Sequence, residues 1–93
     1  MLSVVATVKI KEGKVDEAKA FLKELASETL ANEEGTLAYT VHQRRDNPQT
    51  MVVYEKYASD EAFAIHGKNL ASKGKLFAGV MAGPPEIILV DEV

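Results

Sequence analysis

Apolar residues occupy every even position from Leu2 to Ile10, through Val4, Ala6 and Val8, and a few residues later the period changes. From Val15 the positions that read as buried fall at steps of three and four: Val15, Ala18, Leu22, Leu25 and Thr29. A period of two built on β-branched residues is a strand with one buried face. A period near 3.6, with Lys14, Asp16, Glu17, Lys19, Lys23, Glu24 and Glu28 on the other side, is an amphipathic helix. The helix is expected over 15–32, and "KEGK" at 11–14 supplies the turn before it. The chain therefore opens as a strand whose buried face needs a helix to cover it.

Turn chemistry divides the rest of the chain, from residue 33 onward. "NEEG" ends the helix, with Gly35 available for a left-handed turn. Leu37, Tyr39 and Val41 then alternate with polar neighbours over 36–45, a second strand. "DNPQ" at 46–49 turns the chain, and "TMVVYEKYA" at 50–58 returns as the other arm of a hairpin. Ser59 reads as the N-cap of a second helix, with Asp60 and Glu61 in its first turn, where the helix dipole favours acids. Gly67 and Gly74 predict a break. Ser72 is expected to cap a short further helix whose buried side is Leu76, Phe77, Val80 and Met81. "GPP" at 83–85 stops that helix, and "EIILVDEV" at 86–93 is the last strand. The order β-α-β-β-α-β is the ferredoxin-like, α+β arrangement: one four-stranded antiparallel sheet with helices on one face.

Length and composition narrow the function. Ninety-three residues make a single domain, 1–93, too small to bury a large fraction of its surface. Odd positions of the first strand are mixed (Ser3, Val5, Thr7, Lys9), so the outer face of the sheet is partly apolar and needs a partner. A homodimer packed sheet to sheet is the economical solution. Net charge is −3, and the one basic cluster, "HQRR" at 42–45, runs straight into Asp46, which argues against a nucleic-acid binder. There is no cysteine, so thiolate chemistry, disulfides and Cys-ligated metals are excluded. No apolar run approaches the ~18 residues of a membrane span. The first residues lack the basic start of a signal peptide, and a cytoplasmic protein is expected.

One polar residue lies where the core should be. Ala62, Phe63 and Leu70 stand four and three residues before His66 and four after it, so all four share one helix face. An imidazole is mostly neutral near pH 7, and burial favours that form, which is what a general base requires. The bland reading is a core histidine satisfied by a backbone carbonyl. Tyr39, Tyr54 and Tyr57 are donors if they face a site and amphipathic core or interface residues otherwise. Glu55 is a pocket acid or, preferred, one half of an ion pair across the dimer interface. His42 is placed near a strand end, in solvent or at the interface. No ligand spacing calls for a metal.

"VYEKYASDEAFAIH", together with the element order, the size and the partly apolar outer face, resembles the antibiotic biosynthesis monooxygenase (ABM) family of dimeric α/β-barrel proteins. The resemblance covers nearly the whole chain. It implies a homodimer with a small-molecule pocket between sheet and helices, and for some members oxidation of hydroxylated aromatics by molecular oxygen without a cofactor. On that basis His66 is the expected catalytic base, and Tyr39, Tyr54, Tyr57, Phe63, Asn69 and Phe77 are the expected substrate-binding residues. Other members of the family degrade haem with an asparagine on the first strand and a tryptophan on the second-half helix. This chain has neither, and His66 stands about where that tryptophan falls. Two further readings stay open: isomerisation of a small phosphorylated metabolite, with Lys9, Arg44 or Lys68 on the phosphate, and a non-catalytic small-molecule-binding dimer.

Overall fold

The computed structural model describes residues 1–93. The elements run β1 (Leu2–Lys9), α1 (Val15–Asn32), β2 (Thr36–Gln43), β3 (Thr50–Tyr57), α2 (Asp60–Ala71), α3 (Gly74–Val80) and β4 (Glu86–Asp91). All neighbouring strands are antiparallel, in the order β2-β3-β1-β4. This is the ferredoxin-like sheet, with its second-half helix split into α2 and α3 at the glycine-weakened stretch.

The alternation in β1 does what its period requires. Leu2, Val4, Ala6, Val8 and Ile10 are all buried on the helix side of the sheet. The β1–β3 register sets Ala6 opposite Val53 and Val8 opposite Met51. Ala18, Leu22, Leu25 and Thr29 are the buried stripe of α1 and close over that row. Burying a Leu or Val side chain stabilises by about 1.5–3 kcal/mol, so this helix-on-sheet contact carries most of the fold.

Turns and caps fix how the layers meet. Gly13 alone has a left-handed backbone, φ +79°, and makes the "KEGK" turn. Gly35 does not take the expected left-handed conformation. Its need for glycine is close approach: a Cβ there would lie 2.5 Å from the Ala62 Cβ. Ser59 caps α2 as expected, its Oγ accepting from the Ala62 N–H at 3.1 Å. Ser72 does not cap α3. It closes α2, donating from Oγ to the Asn69 carbonyl at 2.9 Å, while Lys73 precedes α3 without a side-chain cap. On α3, Val80 is buried and Phe77 and Met81 pack on the core, but Leu76 points outward. A helix this short presents only one turn to the sheet, and Leu76 falls outside it. β2 ends at Gln43, and Arg44 turns back to donate to Asp46 at 2.8 Å, a solvated pair of little energetic weight.

β4 departs from the usual two-sided pattern. Its outward residues Ile88 and Val90 are exposed, and so are Ile87 and Leu89 on the helix side. The helices sit over β2, β3 and β1 and leave this edge strand bare. Across the outer face, Tyr54, Val5 and Ile88 stand side by side in register.

Candidate functional site

Where α1 runs out, the chain drops a carboxylate into the interior. Glu33 is the C-terminal cap of α1, and its buried side chain is surrounded by donors. Thr36 Oγ1 donates to Oε1 at 3.0 Å, and Asn69 Nδ2 donates to Oε2 at 3.1 Å. His66 Nδ1 lies 2.9 Å from Oε1. A carboxylate oxygen accepts, so Nδ1 carries the hydrogen and the imidazole is oriented by Glu33. The close Gly35–Ala62 contact makes this possible, because it lets α2 settle against the α1–β2 turn.

The other imidazole nitrogen faces inward without a partner. His66 is 1% exposed, and its Nε2 is buried with no hydrogen bond. The Tyr39 and Tyr57 rings pack against it, with centroids 5.1 and 5.6 Å away. Tyr57 donates its hydroxyl to Glu55 Oε1 at 2.5 Å, and Phe63 packs on the far side of Tyr57, ring centroids 5.2 Å apart. Burial raises the Glu55 carboxyl above its ordinary value; the Tyr57 hydrogen bond and nearby His66 pull the other way. Burial first, then the Glu55 and Glu33 charges, pushes the Tyr39 hydroxyl above the usual tyrosine range. Tyr57 is raised for the same leading reason and by its bond to Glu55. Both phenols therefore stay protonated, and Tyr57 gives its hydrogen to Glu55.

This cluster borders an apolar cavity of about 240 Å³ between the sheet and the helices. Ala6, Val8, Leu22, Val53, Leu70, Phe77, Met81, Pro85 and Ile87 form its apolar wall, and Tyr39 and Glu55 its polar end. Phe77 is held edge-on against Phe21, with centroids 4.9 Å apart. No three acidic or histidine side chains converge as a metal site.

The residues expected from sequence separate into three groups. Tyr39 and Phe77 line the cavity. His66, Tyr57 and Phe63 form the packed layer behind it, with Asn69 reaching Glu33 from the exposed side of α2, so His66 faces the interior as its spacing predicts without being a wall residue. Tyr54 is apart from both: it lies on the outer face of the sheet, 38% exposed, with its hydroxyl 3.4 Å from Ser3 Oγ. Strand alternation requires this, since Tyr57 and Glu55 point inward from the same strand. Glu55 is 5% exposed and faces the cavity, bonded to Tyr57 and paired with no lysine or arginine of its own chain. His42 sits exposed near the end of β2, its Nδ1 3.3 Å from the Val52 carbonyl. Glu33 is the residue that sequence reasoning missed. Its signal was an acid at a helix C-terminus, where the dipole disfavours negative charge and a tertiary partner has to compensate.

Known proteins share the fold that holds this site. A family model described as "Antibiotic biosynthesis monooxygenase" matches residues 1–73. Among solved structures, a Caulobacter crescentus CB15 protein described as a candidate antibiotic biosynthesis monooxygenase is 33% identical, with a TM-score of 0.91 over 99% of this chain and 89% of its own. A conserved protein from Methanosarcina mazei Go1 is 26% identical, with a TM-score of 0.88 over 99% of this chain and 92% of its own. A third structure, named an antibiotic biosynthesis monooxygenase, is 25% identical, with a TM-score of 0.87 over 100% of this chain and 99% of its own. Among curated proteins none matches the chain. With its family model, its ferredoxin-like sheet and its near-complete overlap with these structures, the chain belongs to the antibiotic biosynthesis monooxygenase family.

Proposed function

We infer that the protein is a cofactor-independent monooxygenase that oxidises a small hydroxylated aromatic, quinol-like or polyketide-like, with molecular oxygen. The observation that carries this reading is the apolar cavity of about 240 Å³ with only Tyr39 and Glu55 as ionisable wall groups. An apolar cavity of ~150 Å³ accepts benzene, so this one suits an aromatic of one or two rings. Phe77 offers such a ring an aromatic wall.

The chemistry needs a base more than it needs an electron carrier. A hydroxyaromatic reduces oxygen far more readily once its hydroxyl proton is gone, and an apolar, donor-lined slot stabilises the anion. The balance closes on substrate and oxygen alone. A hydroxyarene with a ring C–H, plus O2, gives a quinone and water. One oxygen atom becomes the new carbonyl, the other leaves with the hydroxyl and ring hydrogens, and the substrate supplies all four electrons. In this reading His66 is the general base that takes up the hydroxyl proton. Its Nδ1 is committed to Glu33, and its free Nε2 is the acceptor.

An isomerase acting on a phosphorylated metabolite finds less support, because no lysine or arginine reaches the cavity wall. Lys68 lines an outer polar cleft and Arg44 is engaged by Asp46. The working form in our reading is a homodimer joined sheet to sheet. Its support is the apolar outer face through Tyr54, Val5 and Ile88, continued by Val90 on the bare edge strand.

Oxygen consumption with a panel of quinols and polyhydroxylated aromatics, without added metal or flavin, tests the reading. Wild type should exceed the autoxidation of at least one substrate, and His66→Gln should lose about 10²–10⁴-fold in rate. A binding protein gives no turnover with either chain. That result would sink the oxygenase reading in favour of a binding role.

A further inference from the structure

Glu55 is a buried carboxylate with only one of its oxygens in use. Oε1 accepts from the Tyr57 hydroxyl, and no lysine or arginine of the chain pairs with either oxygen. Oε2 accepts from nothing in the chain. It is not sealed in either, because His66 Nε2 is the one side-chain polar atom that is both buried and unpartnered. The space that Glu55 borders is the apolar cavity, so Oε2 opens onto it. Strand register shows what lies beside that oxygen. Glu55 stands opposite Tyr39 on β2 and opposite Val4 on β1. Two residues further along the strands, Val53, Ala6 and Ile87 stand side by side and form one apolar floor of the cavity. Rows two residues apart are separated by about 7 Å, which leaves room for one aromatic ring on the floor with a substituent at Oε2. Phe77, on α3, walls the same space.

We propose that Glu55 is the specificity-determining residue of the cavity: its Oε2 accepts the hydroxyl hydrogen of an uncharged hydroxyaromatic, and its charge turns away aromatics that carry a carboxylate or a phosphate. The inference rests on the reading of the cavity as a hydroxyaromatic site and deepens it. No cationic side chain lines the cavity, so an anionic ligand group meets an uncompensated carboxylate in apolar surroundings, where repulsion between like charges is strong. A neutral O–H instead gives Oε2 the donor it lacks, and a hydrogen bond to an ionised acceptor is roughly twice as strong as a neutral one. Burial holds the Glu55 carboxyl above its ordinary value, which makes its ionised form a better acceptor than a solvated carboxylate. The bond holds one hydroxyl and takes no proton from it. A quinol carries a second hydroxyl, so Glu55 orients the ring while the base role stays with His66.

Three naphthalenes of matching shape test the assignment: 2-naphthol, its methyl ether 2-methoxynaphthalene, and 2-naphthoate. Their fluorescence anisotropy is titrated with the whole chain near neutral pH, in the absence of oxygen. Wild type should bind 2-naphthol about 10–100-fold more tightly than the ether, the range expected for a hydrogen bond to a charged acceptor, and 2-naphthoate no better than the ether. In Glu55→Gln the amide oxygen keeps the Tyr57 bond and the amide N–H faces the cavity. Naphthol and ether should then bind within about threefold of each other, and naphthoate should tighten by about tenfold. Nuclear Overhauser effects from the naphthol ring to the Val53 and Ile87 methyls locate the ligand. Equal binding of naphthol and ether by wild type overturns the assignment. So does a naphthol preference that survives Glu55→Gln, or a bound ring that touches neither Val53 nor Ile87. Naphthoate binding by wild type as tight as that of naphthol also overturns it, because the carboxylate charge would then exclude nothing. No binding of any of the three removes the cavity reading and the assignment together. A hydroxyl preference lost in Glu55→Gln, with no oxygen consumed on any aromatic in the turnover assay, keeps the assignment and ends the oxygenase reading.

Discussion

Glu33 accepts from Thr36, His66 and Asn69, and each of those donors is left without its partner if the carboxylate goes. Glu33→Ala is therefore expected to cost about 3 kcal/mol, the usual penalty for breaking a buried, hydrogen-bonded pair from one side. Urea denaturation of the two chains measures it, and a loss below ~1 kcal/mol would mean that water already serves these donors. Glu55 obeys the opposite logic. Burial holds its carboxyl above the ordinary 4.5, so the folded state binds that proton more tightly than the unfolded chain does. The stabilising contribution is complete below about pH 4.5 and is lost as pH rises through the folded-state value. Glu55→Gln removes the buried charge and keeps an acceptor for Tyr57. It should melt above wild type at neutral pH, with the gap closing as pH falls to about 4.5. A constant gap across that window would place the effect in packing. His66 itself was partly legible: spacing put it on the buried face of α2, as its 1% exposure shows. Its partner was not, because Glu33 is 33 residues away and no local pattern joins them.

At the scale of elements, the site depends on how closely α2 approaches the α1–β2 turn. Gly35→Ala would set a Cβ 2.5 Å from the Ala62 Cβ and push the first turn of α2 outward. The expected cost is about 2 kcal/mol, with the His66–Glu33 hydrogen bond lengthened or lost. Denaturation midpoints and the His66 Nδ1–H resonance report the two effects separately. Adding Ala62→Gly should recover part of the stability, less about 1 kcal/mol for a glycine within the helix. If the second substitution recovers nothing, the close contact is not the cause. Periods of two and 3.6 fixed β1 and α1 to within a residue, and "DNPQ" fixed the hairpin. The facing of Tyr54 was harder. Val52, Val53 and Tyr54 make β3 apolar on both faces, so alternation alone did not tell cavity from exterior.

For the whole molecule, the exposed apolar surface sets the expectation. Ile88 is 48% exposed on the outer face, beside Val5 and Tyr54, and Leu89 is 54% exposed on the other side of the same strand. A bare apolar edge strand on a chain of 93 residues is expected to associate. Sedimentation at micromolar concentration should find a dimer, and Ile88→Glu should shift it to monomer while the far-ultraviolet spectrum keeps its helix and strand signal. A wild-type monomer would set the sheet-to-sheet arrangement aside. The order of elements, the buried stripes and the inward turn of His66 belong to the sequence by itself, because each follows from the spacing of residues within one helix or strand. The Glu33–His66 pair, the inward Glu55, the outward Tyr54 and the bare faces of β4 were decided only by tertiary structure. They depend on which elements pack together and how far each helix reaches across the sheet, and those distances are set by contacts between residues far apart in the chain.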